Sequence, residues 1–147
     1  MRKMQVYEHR VQYYETDQMG IVHHSNYIRW FEEARTALLR QAGVGYGEME
    51  SLGIISPVVE VSAKYVSMAH FEDIVQITTE IVQFNGIVLA LAYKVQDKKT
   101  GELRCTGKSR HCFLNRAGHP ISLKKEQPLI YTMLTSAFPD PHRIQDN

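Results

Sequence analysis

The sequence of 147 residues is short of cysteine, of net charge and of long apolar runs. Its 17 basic and 16 acidic residues leave a formal net charge of +1, which gives no general argument for binding nucleic acid or a charged membrane surface. No apolar run approaches the roughly 20 residues that span a bilayer. Residues 1–6 are basic but are not followed by the apolar segment of a signal peptide, so no signal peptide is indicated. We therefore expect one cytoplasmic domain over 1–147 without an integral membrane segment, with a core at about 4–134 and a frayed polar tail at 139–147.

Familiar catalytic and metal-binding motifs are also missing. The sequence has no Gly-x-Ser-x-Gly nucleophile elbow and no Cys-x-x-Cys or His-x-x-x-His spacing, so we expect no bound metal. His23 and His24 are adjacent, and neighbouring side chains diverge too much to chelate. Two cysteines do not make a disulfide scaffold. If one strand covers both Cys105 and Cys112, their odd separation places them on opposite faces, and we expect both to be buried, reduced thiols.

The N-terminal part is predicted to be a strand followed by a loop that leads into a helix. Residues 4–13 are expected to form the strand and residues 14–24 the loop, in which Gly20 is the flexible point. Ser25 or Asn26 is the expected N-cap, because either side chain can accept a hydrogen bond from the free amides of the first helical turn.

A long amphipathic helix is predicted from about residue 27 to residue 42, with Gly43 as the residue that ends it. Its apolar arc consists of nine residues at helical spacing: Tyr27, Ile28, Trp30, Phe31, Ala34, Ala37, Leu38, Leu39 and Ala42. Arg35 falls inside this arc. A buried guanidinium needs partners, so we expect a carboxylate or several carbonyls near it, unless it extends to solvent or pairs with Glu32.

From residue 56 onward the apolar pattern alternates with a period of two, which is typical of strands. In the first strand one face is expected to carry Val59, Val61, Ala63 and Tyr65, and in the next strand one face is expected to carry Val75, Ile77, Thr79 and Ile81. The core face of the following strand is expected to consist of Ile87, Leu89, Leu91, Tyr93 and Val95. Asn85-Gly86 predicts a two-residue hairpin, and 103–115 a last long strand. The fold class is therefore α+β, with a curved antiparallel sheet wrapped around one long central helix and completed by a second subunit.

Asp17 stands in the loop just ahead of the helix. The free N–H groups and dipole at a helix N-terminus can stabilise the oxyanion of an acyl-transfer transition state, while a nearby carboxylate acts as base or nucleophile. Alternatively, Asp17 is a structural residue that caps those same N–H groups. The residues alone leave both interpretations open.

The segment Tyr14-Glu-Thr-Asp17-x-x-Gly20-x-Val22-x-His24-x-Asn26-Tyr27, followed by Phe31-Glu-Glu-Ala-Arg35, closely resembles the hotdog-fold acyl-CoA thioesterases. It is similar to the 4-hydroxybenzoyl-CoA thioesterase family, including the branch associated with the Tol–Pal envelope system. The likeness extends through Tyr65, Asp73 and the Gly118-x-Pro120 turn, over roughly 5–125. The family often has one more acidic residue before its Thr-Asp, so a small shift of the loop at Glu15 is expected.

The resemblance implies a hotdog fold and hydrolysis of an acyl-CoA to a free acid and CoA, without a metal or a cofactor other than the CoA of the substrate. Asp17 matches the catalytic carboxylate, and backbone N–H groups around His24 match those that polarise the thioester carbonyl. Tyr27 matches an aromatic residue packed near the acyl group. A homodimer, usually paired again into a tetramer, with sites at the subunit interface is also implied.

Binding of CoA requires positive charge for its phosphates. Arg104, Lys108 and Arg110 share one face of the last predicted strand, and Lys64 and Lys94 join them if the strands align suitably. The alternative is an ordinary solvated strand face.

Other functions and substrates stay open at this point. A hotdog dehydratase would need a different histidine and acid arrangement, and a non-catalytic thioester-binding or adaptor protein would bind without turnover. An aromatic acyl pocket lined by Tyr27, Trp30, Phe31 and Tyr65 is one interpretation, and ordinary core packing is the other.

Overall fold

The computed structural model describes residues 5–137 and contains a five-stranded antiparallel sheet with one long helix. The elements are β1 (Gln5–Arg10), a 3-10 turn (Tyr13–Glu15), α1 (Ser25–Gln41), α2 (Tyr46–Ser51), β2 (Val58–Tyr65), β3 (Ile74–Phe84), β4 (Leu89–Asp97), β5 (Leu103–His111), α3 (Leu123–Glu126) and α4 (Pro128–Ala137). The strand order is β1-β3-β4-β5-β2, so the first two strands form opposite edges of the sheet. This α+β architecture was predicted. The tail predicted to fray, 139–147, lies outside the described residues.

Helix α1 buries the apolar arc that the sequence predicted. The buried apolar side chains are Tyr27, Trp30, Phe31, Ala34, Leu38 and Leu39. Phe31 stacks on Tyr93 of β4, with ring centroids 4.4 Å apart. A Cβ at Gly107 of β5 would overlap Phe31 Cε2, so the absence of a side chain there allows this ring to approach the sheet. Gly43 ends the helix with φ +85°, as expected.

The predicted N-cap was wrong. His24 occupies that position without a side-chain capping bond, and Ser25 and Asn26 are already helical. The first turn instead uses His23: its Nδ1 accepts from Ser25 N–H at 3.2 Å, and its carbonyl accepts from Asn26 N–H at 3.0 Å. The Asn26 amide group is then free to donate to the Glu15 carbonyl at 2.8 Å, which ties the helix to the preceding loop.

Arg35 is buried, but the expected carboxylate or carbonyl partners were wrong. Its Nε donates to Tyr46 Oη at 2.9 Å and a terminal nitrogen donates to Tyr93 Oη at 3.2 Å. Tyr93 Oη lies 2.6 Å from Ser109 Oγ, which lies 2.8 Å from His111 Nε2. Arg35 therefore begins a buried chain of polar groups that crosses from α1 to β5.

Two predicted strand boundaries need correction. Strand β1 ends at Arg10 because the chain turns into the 3-10 turn. Strand β5 ends at His111, so Cys112 lies beyond it and is half-buried, whereas Cys105 is buried in the strand. The prediction that the two thiols lie buried on opposite faces of one strand is therefore wrong.

The turn between β3 and β4 is longer than predicted. Residues 85–88 connect the strands, and Asn85 Oδ1 accepts from the N–H groups of Ile87 and Val88 at 2.9 and 2.8 Å. These contacts stabilise a four-residue loop that includes Ile87. Ile87 therefore lies outside β4 and is half-exposed instead of facing the core.

Strand β2 is an edge strand with exposed apolar side chains. Val59, Val61 and Tyr65 are 59%, 41% and 49% exposed, so the apolar residues predicted to share one face are not buried within one protomer. Their shared strand pairs with β5 on one side, and no strand among residues 5–137 pairs with its other edge. Such an edge is a surface for pairing with another strand.

Candidate active site

The loop that carries Asp17 is a tight turn pinned at both ends. Thr16 pairs with Val22 in an isolated bridge, and Asp17 N–H donates to the Ile21 carbonyl at 2.8 Å. Gly20 N–H donates to the Asp17 carbonyl at 3.0 Å, and Gly20 has φ +78°, where a side chain would be strained. The turn therefore fixes the backbone from which the Asp17 side chain projects.

The Asp17 carboxylate is half-buried and retains free acceptor capacity. Its Oδ1 accepts from Met19 N–H at 2.8 Å, a contact within its own turn. Within residues 5–137 no donor contacts its other oxygen. The structural alternative, in which Asp17 caps the amides of α1, is therefore not what the structure shows.

The N-terminus of α1 presents one unused backbone donor. The amides of Ser25, Asn26 and Tyr27 donate to His23 Nδ1, the His23 carbonyl and the His24 carbonyl, respectively. Among the described residues, His24 N–H donates no hydrogen bond. Because this group belongs to the residue that precedes a 17-residue helix, the positive end of the helix dipole adds to its pull on an anion.

Aromatic rings pack around this helix start. His24 stacks on His23 with centroids 4.2 Å apart, and Tyr65 Oη donates to the His24 carbonyl at 3.2 Å. Tyr27 is 4% exposed and packs on Tyr65 at 5.5 Å and on Trp30 at 4.8 Å. Burial raises the pKa of Tyr27 to about 12, so its hydroxyl is neutral at physiological pH.

The proposed aromatic set does not form one free pocket within the protomer. Tyr27, Trp30 and Tyr65 contact one another, whereas Phe31 faces β4 and stacks on Tyr93. Tyr65 is the member of this set that is half-exposed. Core packing is therefore the role that the structure shows for Trp30 and Phe31.

Glu15 is a prominent residue of this region that sequence reasoning did not identify as functional. It is 4% exposed, and its carboxylate accepts from Gln12 N–H and Trp30 Nε1, each at 2.8 Å, and lies 2.8 Å from His9 Nε2. Burial acts to raise the pKa of Glu15, but these hydrogen bonds outweigh it and hold the pKa below its ordinary value. The signal was Trp30, because a buried indole N–H requires an acceptor.

The basic residues predicted for CoA phosphates divide into two places. Lys108 and Arg110 are exposed and line a cavity of about 430 Å³ on the outer face of the sheet. Arg104 is buried, with contacts of 3.0 Å to Glu102, 3.7 Å to Asp97 and 3.0 Å to Ser67 Oγ. Its two terminal nitrogens are therefore already occupied by protein groups.

Lys64 and Lys94 do align with the outer basic face. Both are register partners of Thr106 in β5, one from each neighbouring strand. Thr106 precedes Lys108 by two residues and Arg110 by four. This side of the sheet therefore carries four exposed basic side chains: Lys64, Lys94, Lys108 and Arg110. Glu60 lies opposite Arg110 and reduces the positive charge at that end.

Neither a metal-binding cluster nor a membrane-spanning helix is found among the described residues. Among the described residues no group of three or more His, Cys, Asp or Glu side chains is placed to hold a metal ion. In the same part of the chain, no helix is both long and apolar enough to cross a membrane.

Residues 11–141 match the thioesterase-like superfamily. The chain is 37% identical over 136 residues to YneP of Bacillus subtilis (strain 168), which carries the provisional name acyl-CoA thioesterase, with 92% of this chain and 90% of YneP covered. It is 28% identical over 123 residues to the 1,4-dihydroxy-2-naphthoyl-CoA hydrolase of Prochlorococcus marinus (strain NATL2A), covering 78% and 76%.

Among solved structures, a DHNA-CoA thioesterase from Staphylococcus aureus superposes with a TM-score of 0.85 at 29% identity, covering 90% of this chain and 89% of that chain. None of these names concerns the Tol–Pal system, so membership of that branch stays a prediction.

Proposed function

The chain belongs to the thioesterase-like superfamily and has its hotdog fold, and from this premise we propose that it hydrolyses an acyl-CoA thioester. The products are the free acid and CoA, and Asp17 is the catalytic carboxylate. One observation carries the proposal: Asp17 keeps an uncommitted oxygen in a loop joined to the helix start, where His24 N–H has no acceptor among the described residues.

His24 N–H supplies the electrophilic assistance in this proposal. The thioester carbonyl oxygen accepts a hydrogen bond from it, and the dipole of α1 favours the negative charge that develops on that oxygen. Removal of one such donor in other enzymes lowers kcat by about 10²–10³-fold, which indicates the scale of the contribution. The donor is a backbone group, so substitution of the His24 side chain leaves it in place.

Asp17 can complete the reaction in two ways. As a nucleophile, its carboxylate forms a bond to the thioester carbon, the C–S bond breaks, and CoA leaves as a thiolate; water then hydrolyses the resulting anhydride. As a general base, Asp17 removes a proton from water while that water attacks the carbon, and the thiolate leaves on collapse of the tetrahedral intermediate. Both routes consume one water and release one acid and one CoA.

Tyr27 and the His24 side chain have supporting roles in the proposal. Tyr27 is buried beneath the helix start and neutral, so it forms an apolar wall beside the acyl group without supplying charge. The exposed His24 ring, stacked on His23, borders the entrance.

The CoA phosphates are proposed to bind the outer basic face. Lys108 and Arg110 line its cavity, and Lys64 lies nearby. Arg104 forms ion pairs with Glu102 and Asp97 and has a structural role in this proposal. A strand rises about 3.3 Å per residue, so Arg110 lies about 17 Å along β5 from Cys105, the register partner of Tyr65. Cys105 and Arg110 face opposite sides of the sheet, so in this proposal the long pantetheine arm of CoA passes around the β2 edge.

A homodimer is proposed to form along β2 and to pair again into a tetramer. The exposed valines of β2 and its uncovered edge support this interface, because a second copy would bury them and continue the sheet. The cytoplasm is the proposed compartment, in keeping with two free cysteines.

The decisive experiment measures turnover of a panel of short-chain, long-chain and aromatic acyl-CoA substrates by wild type and Asp17→Asn. Two relatives carry names of hydrolases for an aromatic acyl-CoA, so the panel includes a naphthoyl thioester. We expect Asp17→Asn to lower kcat by about 10²–10⁴-fold. A loss below about tenfold, or about 1.4 kcal/mol of barrier, would contradict the role of Asp17.

Two other outcomes would assign a different function. Tight binding of acyl-CoA without turnover by wild type indicates a binding or adaptor protein, and hydration of crotonyl-CoA without thioester cleavage indicates a dehydratase. Single turnover in ¹⁸O-labelled water tests the nucleophilic route. Label in the Asp17 carboxylate indicates nucleophilic attack followed by attack of water on the Asp17 carbonyl of the anhydride, because general-base catalysis puts the label in the product acid alone.

A further inference from the structure

We propose that Glu15 is a positioning residue that sets the geometry between Asp17 and the helix start. The inference rests on the proposed function, because it concerns the alignment of the catalytic carboxylate with His24 N–H. Glu15 does not reach substrate in this proposal; it acts through the backbone on either side of the site.

The Glu15 side chain joins three separate elements. Its Oε2 accepts from the indole of Trp30 in α1, and its Oε1 accepts from Gln12 N–H at the start of the 3-10 turn. Oε1 also lies 2.8 Å from His9 Nε2 of β1, and the other ring nitrogen of His9 lies 3.3 Å from Glu33 of α1. Helix, turn and edge strand are therefore held around one buried carboxylate.

The Glu15 backbone continues this linkage into the site. Its carbonyl accepts from His23 N–H and from the side-chain amide of Asn26, both at 2.8 Å. Asp17 follows Glu15 by two residues, and the unused donor belongs to the residue after His23. A shift of Glu15 therefore moves the carboxylate and the proposed oxyanion donor relative to each other.

A carboxylate is required at this position because both of its oxygens face obligate donors. An indole N–H and a backbone N–H cannot accept hydrogen bonds. In Glu15→Gln, the new amide group must point its NH₂ either at Trp30 Nε1 or at Gln12 N–H, so a donor meets a donor in both orientations. Relief of that conflict requires movement of the turn or of α1.

The test compares Glu15→Gln with wild type in steady-state hydrolysis of the best acyl-CoA of the panel. We expect kcat to fall by about 100-fold with KM within about threefold, because misplacement of reacting groups by 1 Å can have an effect of that size. All variants are measured at a temperature where circular dichroism shows them to be folded.

A matched control separates positioning from loss of stability. Phe113 is buried and contacts Phe84 beyond the end of β5, at the opposite end of the sheet from Tyr65 and Cys105. Phe113→Leu removes core packing there and should leave kcat within about twofold of wild type, even where its loss of stability matches that of Glu15→Gln.

A rescue variant provides a second readout. In Glu15→Gln combined with Trp30→Phe, the NH₂ group can face the position of the missing indole without meeting a donor. We expect this double variant to recover at least about tenfold in kcat over Glu15→Gln, although it lacks one more hydrogen bond. A kcat of Glu15→Gln within about twofold of wild type would overturn the proposal, as would a double variant no faster than Glu15→Gln.

The same experiments keep this proposal apart from the proposed function. Failure of wild type to turn over any acyl-CoA refutes the function itself. Turnover by wild type that is lost in Asp17→Asn but retained in Glu15→Gln refutes the positioning role alone.

Discussion

Acidification is expected to destabilise the protein through His111, which is 1% exposed at the end of the buried polar chain from Arg35. Burial, reinforced by the positive charge of Arg35, lowers the pKa of His111 from 6.5 to about 4. Its Nε2 is bonded to Ser109 Oγ, and its Nδ1 has no partner among the described residues. A proton on this ring would add a buried charge beside an existing one.

The sign and size of the effect follow from this pKa. The unfolded chain binds a proton on His111 below pH 6.5, whereas the folded protein does so only below about 4. Stability is therefore lost as the pH falls through that window. Between pH 7.5 and pH 5 the loss from this group is about 2 kcal/mol. Glu15 and Asp97, whose pKa values are lowered from 4.5 and 3.8, lose their contributions at lower pH and hardly affect the measurement.

Urea unfolding at the two pH values measures this loss in wild type, in His111→Gln and in His119→Gln. The first variant removes the titrating group but retains hydrogen-bonding capacity toward Ser109, and the second removes an exposed histidine as a matched control. We expect the pH dependence to shrink by about 2 kcal/mol in His111→Gln and to be unchanged in His119→Gln. An equal dependence in wild type and His111→Gln would refute the reasoning.

Three further predictions concern packing, assembly and CoA binding. Gly107→Ala should destabilise the protein by about 1–3 kcal/mol in urea unfolding, because its Cβ would overlap the Phe31 ring; an unchanged midpoint would contradict that contact. Val61→Lys places a charge on β2 and should yield a folded monomer in sedimentation equilibrium, whereas an unchanged oligomer would exclude the β2 interface. Lys108→Ala combined with Arg110→Ala should raise KM for acyl-CoA by about tenfold without affecting a truncated thioester that lacks the nucleotide, and an equal effect on both substrates would exclude phosphate binding.

The helix was predictable because a single physical pattern fixes it. Its residues must bury one face at a period of 3.6, so the apolar arc and the break at Gly43 follow from the sequence. The partners of Arg35 were not predictable in this way. Tyr46 and Tyr93 are separated from it by 11 and 58 positions, and only the tertiary arrangement of α2 and β4 brings their hydroxyls to the guanidinium.

The site was predictable to the level of a motif and not to the level of its hydrogen bonds. The position of Asp17 ahead of the helix was evident, whereas the use of Met19 N–H as its partner depends on the turn closed at Gly20. Glu15 was missed because a 3-10 turn has no apolar period that marks which side chains point inward. The exposure of β2 was not predictable, because an alternating pattern identifies an apolar face but does not show which chain covers it.

The strand order has a consequence for the order in which the site forms. Strand β1 is made first during synthesis, but it pairs with β3, where Gln5 lies opposite Thr79. Strand β3 must therefore be synthesised, about 70 residues later, before β1 has its partner. Pairings between such distant residues form slowly. His9, which contacts Glu15, belongs to β1. Catalytic competence therefore requires synthesis of the chain through β3, by which point three of the five strands have been made.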